Sequence, residues 1–128
     1  MRILALDAGE ARCGCAVCDP TETVVTPLET VPQPDTRRGL DTLARLVRER
    51  EIEQVVVGLP LTMRGEEGDQ ARWTRGFTER LAARVDVPVA MHDERLTTRQ
   101  AERSGGEAEA DSRAAAHLLE AYLMTRTG

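Results

Sequence analysis

The segment Gln54 to Leu59, QVVVGL, presents no polar face. Successive side chains of a strand point to opposite sides of its sheet, so a run that is apolar throughout must be covered on both sides. It therefore predicts a central parallel strand with helices packed on either face, and Pro60, which has no N–H to offer a ladder, ends it. A chain built around such a strand is α/β.

The surrounding pattern supplies the other layers. Residues 2 to 7, RILALD, alternate as a strand, with Ile3, Ala5 and Asp7 on one face and Leu4 and Leu6 on the other, so Asp7 closes it. Gly9 breaks the run, Cys13 to Cys18 form a second strand, and Asp19-Pro20 turns the chain into a third from Thr23 to Thr26, continuing towards Val31. These short connections predict an antiparallel meander. Beyond Pro32 and Pro34, Asp35 or Thr36 can cap a helix whose Leu40, Leu43, Ala44 and Val47 share one face. The Gly- and acid-rich stretch Thr62 to Asp69 reads as a loop feeding a second helix with Trp73, Phe77 and Leu81 inward, and Val87 to His92 reads as a strand. Thr97 and Gln100 suit a capping box for a short helix, and Ser104 to Ala110 a connection. Asp111 or Ser112 then caps a last helix that buries Ala115, Leu118, Leu119 and Tyr122. The expected architecture is a single domain over residues 1–128. It is a ribonuclease H-like fold with a mixed five-stranded sheet, three antiparallel strands followed by parallel ones, flanked by helices.

Composition narrows the function. With 128 residues the chain fits one domain, and 41% hydrophobic residues are too many for intrinsic disorder. Trp73, Phe77 and Tyr122 are the only aromatics, which speaks against a nucleic-acid platform of stacked rings. No apolar run reaches the ~18 residues that span a bilayer and Asp7 interrupts the N-terminal run, so no membrane segment is expected and the cytoplasm is the expected compartment. Cys13, Cys15 and Cys18 are odd in number and crowded, which does not suit a secreted disulfide framework. Alternation also puts Cys18 on the face opposite Cys13 and Cys15, so they cannot chelate zinc together with His92 or His117. A net charge of −5 argues against a passive nucleic-acid coat but not against an enzyme acting on nucleic acid; all 17 basic residues are arginines.

Three acids fall where elements end: Asp7 at the first strand, Glu94 after the last, Asp111 at the final helix. The carboxyl ends of parallel strands face the functional crevice of such a sheet, so Asp7 and Glu94 can converge there. Converging carboxylates repel unless a cation lies between them, and oxygen donors select Mg²⁺ or Mn²⁺. Such ions can activate a water for phosphodiester hydrolysis. Each acid also has a plainer reading, Asp111 as a helix cap and Glu94 as a solvated loop acid, whereas Asp7, ending an apolar strand, calls for a partner.

Four segments carry a family resemblance. Leu4 to Asp19, LALDAGEARCGCAVCD, resembles the first motif of the YqgF/RuvX family, and Gly58 to Ala71, GLPLTMRGEEGDQA, its second. Asp93 to Glu102, DERLTTRQAE, resembles the third and Asp111 to Leu123, DSRAAAHLLEAYL, the fourth. The resemblance implies a divalent-metal-dependent nuclease, often dimeric, that acts on nucleic acid, either a four-way DNA junction in recombination or the 5′ end of precursor 16S rRNA. It places catalytic and metal-binding roles on Asp7, Glu94 and Asp111, with Asp93 as second choice beside Glu94. It also places substrate contacts on Arg12 and the loop residues Gly65 and Glu67. The family's basic cluster before the fourth motif is missing from Ser104 to Ala110, so Arg95 and Arg99, with Arg103, are the candidate replacements, and Arg72 and Arg75 a second set. His92 shares the strand parity of Glu94. A second reading, a non-catalytic accessory module for ribosome or recombination work on the same fold, draws on the acidic charge and the lost cluster.

Overall fold

The computed structural model describes residues 1–94 and 107–126, without the side chains of 107–109. The predicted helix around Thr97 and Gln100, and Arg95, Arg99 and Arg103, lie outside the described residues. The chain runs β1 (Ile3–Ala8), β2 (Arg12–Cys18), β3 (Val25–Pro27), β4 (Val31–Pro32), α1 (Arg37–Glu49), β5 (Gln54–Leu59), α2 (Asp69–Ala82), β6 (Val89–Asp93) and α3 (Glu107–Arg126). The strands form one sheet in the order β3-β2-β1-β5-β6, with β4 also on β2. The β2 pairings are antiparallel, whereas β1–β5 and β5–β6 are parallel. This is the ribonuclease H-like arrangement that the element order predicts.

Among the described residues the sheet has six strands rather than the expected five, because the expected third strand is two. Val25–Pro27 pairs with Cys18–Ala16 and Val31–Pro32 with Cys13–Arg12, so Leu28, Glu29 and Thr30 stand against only Cys15 and Gly14. One extra residue on that side is a β-bulge. The Leu28 N–H still donates to the Cys15 carbonyl at 2.8 Å, so the edge stays attached through the irregularity.

Two cores cover the two faces, as β5 demands. Leu4, Leu6, Cys13, Cys15, Val55 and Val57 pack against Leu40, Leu43 and Val47 of α1 and Phe77 and Leu81 of α2. On the other face Ile3, Ala5, Ala16, Cys18 and Val56 pack against Ala115, Leu118, Leu119 and Leu123 of α3. The cysteines are free, buried and split between the faces as alternation requires. Among the described residues no helix is long and apolar enough to cross a membrane.

Two helix starts settle open choices. Thr36 caps α1, its Oγ1 accepting from the Gly39 N–H at 3.1 Å, while Asp35 receives the Arg80 guanidinium at 2.7 and 2.6 Å. Neither Asp111 nor Ser112 caps α3, which starts at Glu107, so Glu107 to Ala110 are helix and not connection. The sequence EAEA is made of strong helix formers and carries the helix back by about one turn.

Asp111 therefore sits inside a helix that lies hard against the sheet. A Cβ on Gly14 would stand 2.0 Å from the Asp111 carbonyl oxygen, so the α3 backbone occupies the place of a side chain on β2. Ser112 Oγ adds a hydrogen bond to the Leu28 carbonyl at 2.6 Å, joining α3 to the bulge. Gly14→Ala must push α3 off β2; the expected cost is about 3 kcal/mol, read as a fall of roughly 10 °C or more in thermal midpoint. A midpoint within 2 or 3 °C of the parent, roughly the effect of an innocuous surface change, would contradict this seating.

Candidate active site

Asp7 is the next-to-last residue of β1 and pairs with Gly14 of β2. Its odd-numbered parity with Ile3 and Ala5 directs it to the α3 face. Glu94 directly follows β6, its N–H donating to the Leu59 carbonyl at 3.2 Å, and only 6% of it is exposed. Its carboxylate lies over Gly58, where an added Cβ would be 2.3 Å from Glu94 Oε2 and 3.2 Å from Leu118 Cδ2. Gly58 thus leaves the space that lets an acid lie on the sheet beneath α3.

The carboxyl groups of Asp7 and Glu94 hydrogen-bond to one another. The Asp7 carboxyl is raised to about 6, by burial first and by the nearby Asp111 charge second, with the Glu94 hydrogen bond opposing the rise. Glu94 is raised to about 8 by burial first, then by the charge of Asp7, the hydrogen bond to it and the charge of Asp93 together. Two carboxyls can hydrogen-bond only through a shared proton, so at neutral pH the pair holds one.

Asp111 is close enough to act on Asp7 electrostatically, but its Oδ2 accepts a 2.5 Å hydrogen bond from Arg12 Nε. Among the described residues no group of three or more His, Cys, Asp or Glu is disposed to hold a metal ion. The structure therefore joins two of the three predicted acids and holds the third beside them on a guanidinium. Asp93 pairs with Leu59 and by alternation faces away from Asp7, so it does not share the corner. His92 lies opposite Gly58 on the α3 face, its ring edge-on to Tyr122 at 5.7 Å.

The loop between β5 and α2 is built on a turn. Gly65, at φ 83°, adopts a left-handed conformation suited to glycine, and its N–H donates to the Thr62 carbonyl at 2.8 Å. Glu67 accepts a two-pronged bond from Arg75 at 2.7 and 2.5 Å, and Arg72 pairs with Asp69. Arg72 and Arg75, the second candidate set, are thus each paired with an acid in this conformation. Sequence reading overlooked Arg64, an exposed guanidinium in the same loop that makes no ion pair or hydrogen bond among the described residues. Its only sequence signal is its place one residue before the turn glycine.

The profile of the family described as "RuvX: Holliday junction resolvase" matches residues 1–125. A Chloroflexus aggregans protein named "Putative pre-16S rRNA nuclease" is 50% identical over 101 residues, 79% of this chain and 71% of that one. A protein of the same name from Chloroflexus aurantiacus is 43% identical over 133 residues, 97% of this chain and 87% of that one. Among solved structures, T. thermophilus RuvC in complex with Holliday junction substrate superposes with a TM-score of 0.64 at 19% identity, over 100% of this chain and 96% of that one. At that identity the likeness establishes the fold alone.

The acid pair dictates how stability varies with pH. Both groups titrate higher in the folded chain than the ordinary 3.8 and 4.5, so their contribution is complete below about pH 4 and is lost as pH rises through about 6 and 8. Without added metal the thermal midpoint should fall between pH 5 and pH 9. Glu94→Gln, which leaves one carboxylate to ionise, should flatten that fall and raise the midpoint at pH 8 by roughly 3–8 °C. A steeper fall in the variant would contradict the buried pair.

Proposed function

Because the chain belongs to the RuvX family, we propose that it is a divalent-metal-dependent endonuclease that hydrolyses phosphodiester bonds in structured nucleic acid, with precursor 16S rRNA as its substrate. The hydrogen-bonded Asp7–Glu94 pair at the carboxyl ends of β1 and β6 carries the reading. Two adjacent carboxyls, Glu94 buried and Asp7 half-buried, that hold a proton between them at neutral pH are poised for a cation. Their hard oxygens suit Mg²⁺ or Mn²⁺ better than a thiolate or imidazole metal. Asp7 and Glu94 would hold the ion, with Asp111 as the third acid. Once bound, such an ion polarises a phosphoryl oxygen and lowers the pKa of an attacking water.

The chain's own groups account for the rest. A cation held there would favour the ionised form of Glu94, and the shared proton would pass to solvent. Arg12, at the start of β2, is placed to take a phosphate oxygen beside the acids. The loop carrying Gly65, with Arg64 exposed and Glu67 anchored to α2, lies at the same end of the sheet and supplies a backbone contact. The printed names of the similar Chloroflexus proteins support the rRNA substrate, at 50% and 43% identity over most of the chain. The family's description favours a second reading, resolution of a four-way DNA junction, which needs two coordinated cuts and hence a homodimer. In either case the work belongs in the cytoplasm.

A labelled panel decides: a precursor-rRNA 5′ leader, a four-way DNA junction and its linear duplex, each with Mn²⁺ or Mg²⁺. Cleavage of the leader, reduced by roughly 100-fold or more in Asp7→Asn, is expected. Junction cleavage instead would move the substrate to DNA. Folded protein that binds nucleic acid but cuts nothing would leave the accessory-module reading in its place. Arg64→Gln should weaken binding to all substrates alike and reduce the slope of log K against log salt by about 1. An unchanged slope would remove Arg64 from the interface.

A further inference from the structure

We infer that Arg12 is a substrate-operated latch: in the free protein it holds Asp111 out of the metal site, and a substrate phosphate releases Asp111 by taking the guanidinium over. The inference rests on the nuclease reading and concerns the same site.

Four observations bear on it. Asp111 Oδ2 lies 2.5 Å from Arg12 Nε, while Asp7 and Glu94 turn to each other. Among the described residues no three acids are disposed around one cation position, although the charge of Asp111 already reaches Asp7. The Arg12 and Asp111 side chains are 33% and 30% exposed, so an incoming phosphate can reach the pair. The backbone behind Asp111 is fixed, its carbonyl over Gly14 and the adjacent Ser112 Oγ bonded to the Leu28 carbonyl at 2.6 Å. The exchange is therefore a side-chain rotation and needs no movement of α3.

Guanidinium binds phosphate and carboxylate with the same planar donors, so a phosphodiester is a direct competitor for Arg12. Once Arg12 turns to phosphate, Asp111 loses its counter-charge and would be available to a cation held by Asp7 and Glu94. Metal and substrate then bind with positive coupling, and linkage makes the effect reciprocal. Arg12 is on this account a positioning residue that makes the third acid available only when a substrate is present.

The test is Mn²⁺ affinity by calorimetry, with and without a phosphorothioate-linked RNA hairpin as probe. Arg12→Gln without probe should bind Mn²⁺ roughly three- to tenfold more tightly than wild type, from the ordinary strength of a half-exposed ion pair. The probe should tighten Mn²⁺ binding by wild type and leave Arg12→Gln unchanged. Equal or weaker Mn²⁺ binding by Arg12→Gln overturns the latch, because Arg12 would then be holding Asp111 as a ligand. Asp111→Asn provides a second reading that leaves Arg12 intact. Without probe its Mn²⁺ affinity should stay within about twofold of wild type, and the probe should no longer tighten it. A loss without probe as large as that of Asp7→Asn overturns the proposal. If wild type cuts its substrate while Arg12→Gln gains no affinity, the latch falls and the nuclease stands. If the gain appears but nothing is cut, the latch stands as a metal-site device and the nuclease reading falls.

Discussion

Gly58 has no side chain, and the carboxylate of Glu94 lies where its Cβ would be. The same device recurs at Gly14, where the backbone of α3 at Asp111 takes the place of a Cβ. Together these glycines bring α3 and an acid from the end of β6 down onto one face of the sheet, where Asp7 waits at the end of β1. A side chain at either position would lift an acid away from the others. The closeness of the acids thus depends on two missing methyl groups as much as on the acids themselves.

Closeness carries an electrostatic cost. Burial raises the proton affinities of both Asp7 and Glu94, and one proton stays between them near neutrality. A core chosen only for stability would hold neutral, well-packed side chains there, since buried charge is a poor source of stability. The arginines are arranged accordingly. Arg72, Arg75, Arg80 and Arg84 pair with acids on or near α2, and Arg12 pairs with Asp111.

Much of this was legible in the sequence wherever period and parity carry it. QVVVGL announced a strand covered on both faces, and the alternation of RILALD put Asp7 on the α3 side, apart from Leu4 and Leu6. The same parity separated Cys18 from Cys13 and Cys15. The four motifs led to the family to which the chain belongs. What escaped depends on one-residue register or on long side chains meeting across elements. The bulge at Leu28 to Thr30 splits a strand directly after Pro27, a single residue whose signal is easily passed over in a β-branched run. Asp111 resembled a helix cap because Asp is a favoured cap and Ser104 to Ala110 read as a connection, yet EAEA extended α3 back past it. Glu67 and Arg75 are eight positions apart, one in a loop and one in a helix, and no helical or strand period links them.

The central claim is that Asp7 and Glu94 form a cation site. It is tested most directly by anomalous diffraction at the manganese edge from crystals grown with Mn²⁺. The account predicts a manganese peak at the carboxylates of Asp7 and Glu94, absent in Asp7→Asn crystals. A fully folded protein whose Asp7 and Glu94 keep their mutual hydrogen bond in saturating Mn²⁺, with no peak between them, would contradict it.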